Sequence, residues 1–87
     1  MIQAINSIQN SAKEVALSEF SVGDEGVIGD ITSQELALGL LKMGIQKGDR
    51  CKLANIAPLG NPLAILVNGT KISIRNEDAA RIRMQIL

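Results

Sequence analysis

Along this 87-residue chain the apolar positions change period several times, and each change predicts an element. Leu36, Ala37, Leu40, Leu41 and Met43 fall on one helical stripe. Thr32 and Glu35 ahead of them have the T-x-x-E spacing of a capping box, in which side chains satisfy the free N–H groups of a helix start. Ile31 and Leu36 are placed as its hydrophobic staple. Gly44 stands where a left-handed residue ends a helix, and Ile45 just beyond can touch Leu40. Gly39 interrupts the stripe, at about 1 kcal/mol relative to alanine, and leaves room for another backbone to approach.

Elsewhere the period drops toward two, and strands are expected at 25–31, 49–57, 63–67, 71–75 and roughly 82–86. Asn68-Gly69, between LAILV and TKISI, is the two-residue signal of a type I′ hairpin. APLGNP (57–62) makes a wider loop stiffened by Pro58 and Pro62, and NEDAAR (76–81) a single helical turn. Five short strands with one helix cannot cover an open sheet, so a closed or nearly closed small barrel is expected. Residues 1–16 stand apart as an N-terminal extension to a domain at 17–87. Ile2, Ile5, Ile8, Ala12 and Val15 recur at roughly helical spacing, yet Asn6, Ser7, Asn10 and Ser11 are poor helix formers. The extension reads either as an amphipathic arm for a partner or a second copy, or as a frayed leader.

Composition narrows the function. The chain holds a single aromatic residue, Phe20, so the core must be aliphatic. Nine basic and nine acidic residues cancel, which leaves no electrostatic reach toward nucleic acid or anionic lipid. Without aromatic platforms, single-strand binding loses its stacking component as well. No apolar run approaches the ~20 residues of a membrane span, and the N-terminus lacks a signal peptide's basic and apolar regions. A lone cysteine points away from an oxidising compartment and toward the cytoplasm.

Chemistry is excluded largely by what is missing. There is no histidine, hence neither the commonest general base nor a histidine–cysteine pair nor a zinc cluster. Cys51 could be a reactive thiol, but a buried, inert core cysteine is the simpler reading. Gly44 and Gly48 are followed by Asp49, not by Lys and Ser/Thr, so this corner is no phosphate loop. Gly23, Gly26 and Gly29 read as turns or bulges. The adjacent pairs Asp24/Glu25 and Glu77/Asp78 could weakly attract a hard cation, but solvated structural carboxylates explain them better. No catalytic, cofactor-binding or metal-binding residues are assigned, and the protein is expected not to be an enzyme.

Three segments resemble the FeoA family. LLKMGIQKGD matches that family's Leu-Leu-x-Met/Leu-Gly-Ile/Leu-x-x-Gly run, and APLGNPLAILVNGTKISIRNEDAARIRM its closing half. LSEFSVGDEGVIGDI fits the opening, so the resemblance covers residues 17–86. It implies a mainly β fold: a small SH3-like β-barrel of about five strands with one short α-helix. It also implies a cytoplasmic accessory module, without a cofactor, that docks on the cytosolic part of the FeoB ferrous iron transporter. The alternative is a stand-alone metal- or peptide-responsive domain like the C-terminal barrel of iron-dependent repressors. A homo-oligomer built through the arm is a third expectation. The ridge at the helix exit and the proline loop give Lys42, Met43, Ile45, Pro58 and Leu59 as candidate partner-binding residues, although Met43 and Ile45 taken singly also suit the core. Two features depart from the family pattern: the extension 1–16, and Gly39, where family members commonly carry arginine.

Overall fold

The computed structural model describes residues 14–87. Six strands, β1 (Glu14–Ala16), β2 (Glu25–Ile31), β3 (Arg50–Ile56), β4 (Leu63–Val67), β5 (Thr70–Ile74) and β6 (Ile82–Ile86), form one antiparallel sheet. Its order is β1-β6-β2-β3-β4-β5, which leaves β1 and β5 at the two ends. Helix α1 (Gln34–Lys42) joins β2 to β3, and the one-turn helix α2 (Asn76–Ala79) joins β5 to β6.

Alternation decides which side chains go inside. Leu63, Ile65 and Val67 of β4, Cys51 and Leu53 of β3, and Ile82 and Met84 of β6 all face one core. Leu17, from a 3-10 turn at Leu17–Glu19, and Phe20 join the same core. The core is aliphatic apart from Phe20, as the composition requires.

The Asn68-Gly69 hairpin forms as expected, with Asn68 at φ 52° and Gly69 at φ 78°. Gly44 ends α1 at φ 82°. There the Ile45 N–H donates to the Leu40 carbonyl and the Gly44 N–H to that of Leu41, both at 2.9 Å, which completes a Schellman ending.

Three expectations need correcting. Residues Glu14–Ala16, assigned to the extension, form β1 and pair with Arg83–Gln85 of β6, so the barrel has six strands and includes Glu14. The arm expected over 1–16 otherwise lies outside the described residues. Secondly, α1 is capped by Ser33, whose Oγ accepts the Leu36 N–H at 3.2 Å. Thr32 does not cap because both its N–H (2.8 Å) and its hydroxyl (3.3 Å) donate to the Arg81 carbonyl. Thirdly, Gly26 does not sit in a turn. It lies inside β2 between Cys51 of β3 and Ile86 of β6. Gly29 does fall at an irregularity, where the β2–β6 register shifts between Ile28 and Ile31.

Candidate functional site

The corner at 44–49 is structural. Apart from the Gly44 and Ile45 amides engaged in the helix ending, Gln46 N–H donates to Asp49 Oδ2 at 2.9 Å. Gly48 N–H donates to the Ile28 carbonyl at 2.7 Å, and Asp49 N–H to that of Gln46 at 3.1 Å. Anion cradles work by aiming free amides at the ligand; these amides already have partners. Asn68, at the tip of the β4–β5 hairpin, also donates to the Gly44 carbonyl and to Asp49 Oδ2, both at 3.3 Å. The corner therefore fixes where the end of α1 projects.

Two grooves flank α1. One, of about 430 Å³, lies between α1 and α2 and is lined by Leu36, Gly39 and Met43 on one side and Arg75, Asp78 and Arg81 on the other. The β3–β4 loop belongs to the same side of the molecule: Asn76 Nδ2 donates to the Gly60 carbonyl at 2.7 Å and Asn76 N–H to Asn61 Oδ1 at 3.0 Å. These bonds seat the loop on the start of α2. The second groove, of about 270 Å³, runs along the opposite flank of α1 against β2.

The five residues singled out from sequence divide. Met43 is 55% exposed at the end of α1, with Lys42 exposed beside it. Leu59 is 96% exposed at the loop tip, next to exposed Pro58. Ile45, in contrast, is 2% exposed in the core and offers nothing to a partner. The positive φ at Gly44 turns the chain inward and carries Ile45 onto Leu40. The predicted helical stripe was also too wide: Leu40 is buried, Leu36 and Ala37 are half-buried, and Leu41 lies open. Sequence reasoning passed over Leu38, which is 53% exposed; it stands three residues before Leu41, on a helix face outside the stripe drawn through Leu36 and Leu40.

Gly39 is open to solvent, and a Cβ there would meet nothing within 4 Å. Its helix cost is therefore uncompensated by packing inside the protein. Gly39→Ala is expected to stabilise the fold by about 1 kcal/mol, raising the melting temperature by roughly 4–8 °C. A scanning-calorimetry trace at or below the parent's would show that the open position serves the fold itself.

Two of the four carboxylates singled out from sequence have a partner within the protein. Asp24 Oδ2 accepts the Ser21 N–H at 2.8 Å, and Glu77 lies 4.0 Å from Arg75 on the surface. Among the described residues no three Cys, Asp or Glu side chains converge to hold a metal ion. Cys51 is 1% exposed, and burial pushes its thiol from 9.0 up to about 11. A thiol so protonated is a poor nucleophile. Thiol reagents at pH 8 are expected to leave the native protein untouched and to modify one site after unfolding. The unfolded state ionises near pH 9 and the folded state two units later, so stability falls as pH rises from 9 to 11, by about 2–3 kcal/mol. Cys51→Ala removes that fall; a parent and variant losing stability in parallel across this window would refute the assignment.

What remains is a small barrel of SH3 type with two unlike grooves beside one helix, and neither carries a catalytic constellation among the described residues. Comparison with known proteins identifies the lineage. The model of the FeoA domain matches residues 15–86, and the chain belongs to the FeoA family. It is 31% identical over 72 residues to the Fe(2+) transport protein A/Fe(2+) transporter FeoB fusion protein of Porphyromonas gingivalis. That match covers 82% of this chain but only 8% of the fusion protein. Among solved structures it is similar to the iron uptake regulatory protein FeoA, at 29% identity and TM-score 0.75, over 86% of this chain and 99% of that one. FeoA of Chlorobium tepidum matches at 28% and TM-score 0.79, over 84% and 70%. Two more distant structures share the fold. FeoA of Stenotrophomonas maltophilia, an SH3 domain protein, has 24% identity and TM-score 0.70 over 82% and 89%. A manganese-dependent transcriptional repressor has 14% and 0.78 over 88% and 44%. No helix among the described residues is long and apolar enough to cross a membrane.

Proposed function

We propose that this protein is a non-catalytic accessory module of ferrous iron uptake that docks, in the cytoplasm, on the cytosolic part of a FeoB-type transporter. The observation that carries this reading is the Porphyromonas gingivalis relative, in which the two proteins are one chain. Fusion holds partners at high effective concentration, which suits domains that work in contact. The docking surface is the α1–α2 side of the barrel. Met43 and Leu59 are its apolar anchors, Lys42 and Pro58 flank them, and the open backbone at Gly39 admits a partner's main chain. Arg75 and Arg81, with Glu35 and Asp78, give the groove between a rim of mixed charge. The regulatory alternative has behind it only the fold shared with the repressor.

The test is direct binding of the full chain to a detergent-solubilised FeoB-type transporter from the same source. The parent is expected to bind, and Met43→Glu with Leu59→Glu to weaken binding at least tenfold with unchanged melting temperature. No binding by the parent at high micromolar concentration overturns the reading. Equal binding by parent and double variant removes these residues from the interface.

A further inference from the structure

Helix α1 is apolar on two sides. Leu36 and Leu40 pack with the barrel core, and Leu40 is buried. Leu38 and Leu41, three residues apart and so on one face, are each about half exposed, an apolar strip that water covers at a cost. They line the groove of about 270 Å³ that runs along this flank against Ile31 of β2. The far rim of that groove carries an ion pair that is already closed, Lys47 Nζ lying 2.8 Å from Asp30 Oδ1, and asks for no charge from an occupant. The docking proposed above does not depend on this flank, because its anchors Met43 and Leu59 lie off it.

What fits the strip is set by the charges beside it. Glu35 in the first turn of α1 and Lys42 in the last are separated by two helical turns, so they stand in one row that borders Leu38 and Leu41. Both are exposed, and among the described residues neither has an ion-pair partner. The other border of the strip holds Ala37, which carries no charge. Were two such helices to pack in parallel, the Glu35–Lys42 row of each would face the Ala37 border of its neighbour, and the charges would stay unpaired. Packed antiparallel, the row faces its own copy run in reverse. Glu35 then meets Lys42 at both ends, and a two-fold axis repeats every contact. The strip is thus self-complementary in charge as well as in apolar character, and the occupant it fits is a second copy of itself. Nine residues of helix are about 13 Å long, so one helix pair buries less than the ~1,200 Å² of a stable complex, and the dimer is expected to be weak and reversible.

We propose that α1 is a self-docking face: two copies of this chain pair antiparallel across Leu38 and Leu41, with Glu35 of each set against Lys42 of the other. Sedimentation equilibrium of the full chain up to millimolar concentration tests it. A monomer–dimer equilibrium in the high micromolar range is expected, and Leu38→Glu with Leu41→Glu should weaken it at least tenfold with unchanged melting temperature. Charge reversal reads the orientation. Glu35→Lys and Lys42→Glu, each alone, turn both ion pairs of the dimer into repulsions and should weaken self-association roughly tenfold. Mixed in equal amounts, the two variants should associate with each other about as well as the parent does with itself, because every lysine of the row again faces a glutamate. That recovery also shows both variants to be folded. A parent that stays monomeric at millimolar concentration overturns the proposal. So does a dimer indifferent to the leucine substitutions, which would place the contact on another face, and so does a mixture of the charge variants that associates no better than either alone.

Discussion

Gly26→Ala is expected to destabilise the protein by about 3 kcal/mol, a large part of the 5–15 kcal/mol typical of a whole domain. The cause is space. A Cβ at Gly26 would stand 2.5 Å from the Gln85 carbonyl oxygen and 3.0 Å from Cζ of Phe20. Core side chains can absorb an extra methyl by changing rotamer, but the oxygen is backbone. Strand β2 is held on both sides, Gly26 opposing Cys51 of β3 and Ile86 of β6. Moving β6 away would open the ladder that also carries β1. Gly29→Ala is the internal comparison: its Cβ would approach the Arg83 carbonyl only to 3.3 Å, beside a register shift that can give. Its cost should be smaller by at least half. Urea unfolding of the two variants decides the matter. A Gly26→Ala midpoint within error of the parent's would mean that β2 and β6 are not packed as tightly as their geometry states.

The elements legible in the sequence are those whose signal is local. LAILV and TKISI around Asn68-Gly69 specify a hairpin because alternation and turn geometry act within twelve residues of chain. The end of α1 was equally readable, since Gly44 and Ile45 make their hydrogen bonds to the helix just before them. What escaped was decided at long range. Three residues, Glu14–Ala16, are too few to show a period, and their partner on β6 lies some seventy residues away. Thr32 has the better capping spacing, but Arg81, forty-nine residues on, claims its hydroxyl and leaves the cap to Ser33. Gly26 resembles its neighbours Gly23 and Gly29 until β6 is laid against it.

The candidate site was half legible for the same reason. Residues 41–45 read Leu-Lys-Met-Gly-Ile, and nothing local says which of the apolar side chains faces out. Alternative patterns put Met43 and Ile45 together on an exposed ridge or together in the core. Neither occurs, because Gly44 reverses the backbone between them.

Ile45→Ala and Met43→Ala are therefore expected to behave oppositely. Ile45 is buried among the barrel core residues and packs in the cluster that holds Leu40 and Ile28. Its truncation removes buried methyl groups and leaves a cavity, at about 2–5 kcal/mol. It also loosens the helix ending, whose N–H to carbonyl bond between Ile45 and Leu40 depends on the chain staying folded under α1. Met43, more than half exposed, should lose no more than about 0.5 kcal/mol on truncation. Two residues separated by one glycine thus differ several-fold in what they hold together. In paired denaturation curves the Ile45→Ala midpoint should fall well below the parent's, while that of Met43→Ala should overlay it. If both midpoints fell alike, Met43 would belong to the core and the anchor assigned to it on the α1–α2 side would have to be given up.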